Sequence, residues 1–80
     1  MFNKEKFSAR LRELRKKNGE TQDTLAELLG VKSNQISEME LGKKTTSLER
    51  LCILCDHFKV SADYLLGQSD DPGPYKEEVN

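Results

Sequence analysis

Residues 21–42, TQDTLAELLGVKSNQISEMELG, decide how this chain folds. Thr21 offers a side-chain oxygen to the free amides of a helix start, and Leu25, Ala26, Leu28 and Leu29 follow at helical spacing. Gly30 lies just past the last of them, where a residue without a Cβ enters the left-handed region freely. The chain should therefore turn sharply at Gly30–Val31 and restart near Ser33. Gly42 ends the second helix by the same device. On a wheel of ~100° per residue, Ile36 and Met39 fall on one side of the stretch from Ser33 to Leu41, and Ser33, Asn34, Ser37, Glu38 and Leu41 on the other. A short helix with an apolar back thus presents a mostly polar face outward.

Outside this stretch the chain is short and evenly charged. Its 80 residues suffice for one small core but leave no room for an enclosed substrate pocket. The start, Phe2-Asn3-Lys4-Glu5-Lys6, lacks the apolar centre of a signal peptide, and the longest apolar run, Leu51 to Cys55, is too short to cross a bilayer. A cytoplasmic protein with reduced thiols is the expectation. There are 13 basic and 14 acidic residues, so no global basic signature marks a nucleic-acid binder. The balance conceals a gradient: residues 1–17 carry seven basic side chains against two acidic, a net +5, whereas residues 18–66 and 67–80 each carry a net −3.

The remaining elements follow from caps and stripes. Asn3 can cap a first helix in which Phe7, Leu11 and Leu14 form an apolar stripe, with Phe2 placed to staple against Phe7 and Asn18-Gly19 as the stop. Thr46 to Glu49 reads as a capping box opening a fourth helix, Ser47 to Phe58, that should bury Leu48, Leu51, Leu54, Cys55 and Phe58. Ser61 caps a fifth helix with Tyr64, Leu65 and Leu66 inward, and Gly67 closes it. The expectation is an all-α domain of five short helices over residues 1–67, followed by an acidic flexible tail, 68–80. Cys52 and Cys55 have C-x-x-C spacing near His57, yet a structural zinc needs four ligands and nothing else here supplies a His or Cys. No metal or cofactor is expected, Cys55 reads as a core residue, and His57 as a surface one. No nucleophile–base pair, glycine-rich phosphate loop or carboxylate dyad can be assembled, which argues against an enzyme and leaves no small-molecule substrate evident.

The pattern TQxxLAxxLGVxxxxISxxExGxK, together with LERLxxLxxxFxVSxDYLLG downstream, resembles the lambda-repressor and Cro type of helix-turn-helix DNA-binding domain, in the Xre-like group of transcriptional regulators. The resemblance covers roughly residues 7–67 and makes the second and third helices the helix-turn-helix. It implies that the third helix enters the major groove of duplex DNA. Asn34 would pair with adenine, Ser33 and Ser37 would contact bases with little discrimination, and Gln35 would contribute from the edge of the face. Glu38 would accept from cytosine or repel phosphate. Gln22 would touch a phosphate from the start of the second helix, and Lys43 and Lys44 would lie beside the DNA backbone.

Arg15 would pair with Glu40, tying the first helix to the third. Two positions depart from the family pattern. Lys32 stands where a Ser or Thr cap is usual, so either Ser33 caps the helix or Lys32 gives up cap stability for a phosphate contact. Leu41 stands where Asn is common; it would pack on a thymine methyl or meet a protein. The resemblance implies a homodimer on a near-palindromic operator, most often as a repressor. A protein-interaction module of the same fold, an antitoxin or anti-regulator using Leu41 and the acidic tail, is the alternative.

Overall fold

The computed structural model describes residues 2–73. The elements are α1 Lys4–Lys17, α2 Gln22–Leu29, α3 Ser33–Glu40, α4 Leu48–Phe58 and α5 Ala62–Leu65, with no strand among the described residues. Four helices start on side-chain caps: Asn3 accepts from the Lys6 amide, Thr21 from Thr24, Ser47 from Arg50 and Ser61 from Tyr64. One core joins all five. Phe7 and Leu11 of α1, Leu25 and Leu29 of α2, Ile36 and Met39 of α3, Leu51, Leu54 and Phe58 of α4, and Leu65 of α5 are buried together. Fully burying one such side chain stabilises the fold by about 1.5–3 kcal/mol.

The α2–α3 turn places the motif. Gly30 sits at φ 71°, and the Val31 amide donates back to the Ala26 carbonyl at 3.0 Å, which swings α3 across α2. Gly67 serves a different end. At φ +79° it lies so close to α1 that an added Cβ would come within 2.6 Å of the Asn3 Cβ, while the Asn3 amide donates to the Leu66 carbonyl at 3.0 Å.

Four expectations change. Leu48 is 80 % exposed rather than buried. It is the first residue of α4 and lies about 70° from the centre of the arc formed by Leu51, Leu54, Cys55 and Phe58 on a 100° wheel. Ser47, not Thr46, caps α4, and the Thr46 hydroxyl is buried without a hydrogen-bond partner. His57 is half-buried, with Nε2 2.6 Å from Glu20 Oε2, and joins the end of α4 to the α1–α2 connection.

The fourth change concerns the segment after α5, which does not leave the fold at Gly67. Arg10 donates to the carbonyls of Tyr64 and Ser69, meets Asp70 at 2.6 Å, and stacks over the Tyr64 ring at 4.0 Å. Lys6 reaches Asp70 at 3.2 Å, and the Ser61 amide donates to the Pro72 carbonyl at 2.9 Å. Residues 68–72 are thus strapped to α1 and α5; the rest of the acidic tail, 74–80, lies outside the described residues.

Two outcomes follow. Leu54→Ala should lower unfolding free energy by about 2–5 kcal/mol in urea melts, whereas Leu48→Ala should stay within about 0.5 kcal/mol of the unmodified chain. Hydrogen bonds from Arg10 and then Lys6 hold the Asp70 carboxyl below the ordinary carboxylate range. A depressed folded-state pKa contributes stability above the unfolded value and loses it as pH falls through the folded one. Asp70→Asn should therefore remove part of the stability lost on acidification below about pH 4, and an unaltered acid profile would count against the strap.

Candidate nucleic-acid interface

Arg15 is the anchor of this surface. Its Nε donates to Glu40 Oε2 at 2.6 Å, its Nη2 to Glu40 Oε1 at 3.0 Å, and its Nη1 to the Glu20 carbonyl at 2.8 Å. The pair is well shielded, with side chains 11 % and 3 % exposed. The hydrogen bond to Glu40 raises the guanidinium pKa against the opposing cost of burial, and the charges of Glu40 and Glu20 add to the rise. Gln22 joins the same carboxylate, its Nε2 donating to Glu40 Oε1 at 3.1 Å. One carboxylate at the end of α3 therefore holds the last turn of α1 and the first residue of α2. Since an amide carries two N–H donors, Gln22 retains one, plus its oxygen, for a ligand.

The start of α3 is held from within. Lys32 is the N-cap residue, and an ammonium offers no acceptor, so no side-chain cap forms there. Gln35 Oε1 instead accepts from the Lys32 amide at 3.2 Å, which is half of a capping box. Ser33 is the first helical residue and not the cap. The Gln35 oxygen is committed to the helix, leaving its amide nitrogen for the face.

On the outward face Asn34 and Gln35 are exposed, Ser33, Ser37 and Glu38 are half-buried, and Leu41 is 67 % exposed. A shallow groove runs along it, lined by Gly30, Val31, Lys32, Asn34, Gln35, Glu38 and Lys44. Lys43 and Lys44 are exposed in the α3–α4 loop, and the amides of both donate to the Glu38 carbonyl, at 2.9 and 3.3 Å. Lys44 Nζ also lies 3.4 Å from Glu38 Oε1. Of the residues singled out from the sequence, Lys32, Asn34, Gln35, Glu38 and Lys44 thus line one groove, Gln22 is tied to the Arg15–Glu40 pair, and Ser33, Ser37 and Lys43 do not line that groove.

Sequence reasoning passed over Arg50, whose Nε donates to the Leu29 carbonyl at 3.2 Å and ties α4 to the end of α2. It also passed over Glu20 as the partner of His57. Neither pairing has a local signal, because each joins residues far apart in the chain. Among the described residues, no group of three or more His, Cys, Asp or Glu could hold a metal ion. Burial, with the neighbouring Cys52 and Asp56 adding, pushes the Cys55 thiol up to about 11, so it stays protonated near neutral pH.

A helix-turn-helix held by a buried ion pair and carrying a polar outward face is the class this geometry defines. A helix-turn-helix family model matches residues 11–65. The chain is 39 % identical over 74 residues to the uncharacterized HTH-type transcriptional regulator YobD of Bacillus subtilis strain 168, a match covering 92 % of this chain and 66 % of that protein. The fold superposes on the P22 c2 repressor, solved in complex with a synthetic operator, with a TM-score of 0.73 and 32 % identity, over 79 % of this chain and 96 % of that one. It also superposes on the restriction-modification controller protein C.AhdI of Aeromonas hydrophila, with a TM-score of 0.66 and 34 % identity, over 76 % and 92 % of the two chains. The chain belongs to the helix-turn-helix family of lambda-repressor-like, Xre-type transcriptional regulators. It spans less than two thirds of the length of YobD.

Removing one partner of the buried pair should be costly. Glu40→Ala leaves the Arg15 guanidinium shielded and uncompensated, and unfolding free energy should fall by about 3–5 kcal/mol. Replacing Arg15 and Glu40 together by methionine should recover much of that loss in the same chemical melts.

Proposed function

We propose that this chain binds duplex DNA sequence-specifically as a transcriptional repressor, with α3 in the major groove. The observation that carries the reading is the groove along α3 that Lys32, Asn34, Gln35, Glu38 and Lys44 line together, on a helix whose last residue, Glu40, is fixed by Arg15 and Gln22. A helix fits the major groove and presents the residues of its first turns to base edges. Asn34 is exposed at the second position of α3 and pairs with adenine N6 and N7; Glu38 accepts from cytosine N4. Ser33 and Ser37 add contacts of low selectivity, and Gln35 donates through its amide nitrogen. Gln22, Lys32 and Lys43 form the phosphate side of the surface, with Lys44 beside Glu38.

The resemblance to an operator-bound repressor supports DNA as the ligand. Because one helix of this length reads only a few base pairs, the chain acts as a homodimer on a near-palindromic operator with half-sites about 34 Å apart. Residues 1–67, with the strap 68–72 held against α1 and α5, form the DNA-binding unit. The net charge of −1 does not oppose this, because Glu38 and Glu40 of α3 are paired with Lys44 and Arg15, and Asp70 is taken up by Arg10 and Lys6 of α1. Among the described residues no helix is long and apolar enough to cross a membrane.

Selection from a random duplex pool tests the reading. A palindromic consensus should emerge, bound far more tightly than scrambled DNA and weakening steeply with salt. Asn34→Ala should cost about 1–3 kcal/mol of discrimination at one adenine position. Lys43→Ala should instead weaken all sequences alike and reduce the salt slope by about 0.9. Failure to enrich any sequence would turn attention to a protein partner at Leu41.

A further inference from the structure

Lys44 differs from the other cations of the surface. Its Nζ lies 3.4 Å from Glu38 Oε1, whereas Lys32 and Lys43 have no carboxylate within ion-pair distance among the described residues. The backbone brings the two residues together. The Glu38 carbonyl accepts from both the Lys43 and the Lys44 amides, so the loop is hung from the same residue whose carboxylate the Lys44 side chain then reaches. Both side chains line the groove that Asn34 and Gln35 share, so the pair lies on the reading face itself.

An unpaired carboxylate on that face would be repelled by phosphates on both sides of the groove. Yet a carboxylate is the side chain suited to accept from cytosine N4. With one oxygen near Lys44, Glu38 keeps a second oxygen for a base while its net charge is offset.

We propose that Glu38 and Lys44 act as one neutral base-reading unit, in which Lys44 is a positioning residue that supplies the counter-charge for Glu38 rather than an independent phosphate clamp. The inference rests on the reading that α3 meets DNA. Lys32 and Lys43 carry the salt-dependent phosphate attraction, and Lys44 contributes to selectivity at the base that Glu38 reads.

The test is a double-mutant cycle on the full chain, with Lys44→Met, Glu38→Gln and both together. Each variant is titrated with the selected duplex and with scrambled duplex across one salt series, and Lys43→Met serves as the reference cation. Lys44→Met should change the salt slope much less than Lys43→Met, which should lower it by about 0.9. It should also relax preference at the same base position that Glu38→Gln relaxes. Glu38→Gln frees Lys44, so binding to scrambled DNA should tighten by up to about fivefold, the range of an exposed ion pair. That gain should vanish in the double variant.

Equal slope losses for Lys44→Met and Lys43→Met, with additive effects of the two substitutions, would overturn the inference while leaving DNA reading by α3 intact. No duplex selection by the unmodified chain would sink that reading and this inference with it.

Discussion

The bidentate contact between Arg15 and Glu40 is the constraint on which the rest of this structure depends. Apolar burial brings α1, α2 and α3 together, but burial is non-directional and fixes no angle between helices. Two N–H donors in a rigid fork facing two carboxylate oxygens do fix one. Because Glu40 is the last residue of α3 and also receives Gln22 from the first turn of α2, one shielded carboxylate registers both helices of the motif against α1. α3 is then held from three sides. Its back is held by Ile36 and Met39, its start by the Gln35 side chain and its end by Glu40.

That frame explains how a chain with a net charge of −1 can present a surface suited to a polyanion. The two acidic residues of α3 are each answered by a cation: Glu40 by Arg15, and Glu38 by Lys44. Asp70 is similarly taken up by Arg10 and Lys6 on α1. Overall charge is therefore a poor guide to this protein, and the local pairing is the informative quantity.

Much of the architecture was legible in the sequence because it is written locally. Caps at Asn3, Thr21 and Ser61, the glycine at position 30 and the apolar stripes of α1 and α2 all act within one or two turns, and the structure follows them. What escaped is non-local or lies at an element's end. Arg10 gathers in the Ser69 carbonyl from 59 residues away, and no periodicity announces a strap of that kind. Leu48 fits the apolar stripe of α4 by spacing, but it lies at the helix's first position and at the edge of the buried arc. Lys59 closes α4 in the left-handed region at φ 58°, where a glycine would have been the readable signal. On the α3 face the side-chain types were readable, whereas the commitment of Gln35 to the helix start and of Lys44 to Glu38 was not.

Amide chemical-shift mapping with the selected duplex would locate the DNA on the fold. The largest perturbations should fall at residues 33–38, at Lys43 and Lys44 and at the start of α2, with Leu54 and the far side of α1 little changed. Perturbations centred instead on Phe2 and Leu48, or spread weakly over the basic residues of α1, would contradict DNA reading by α3.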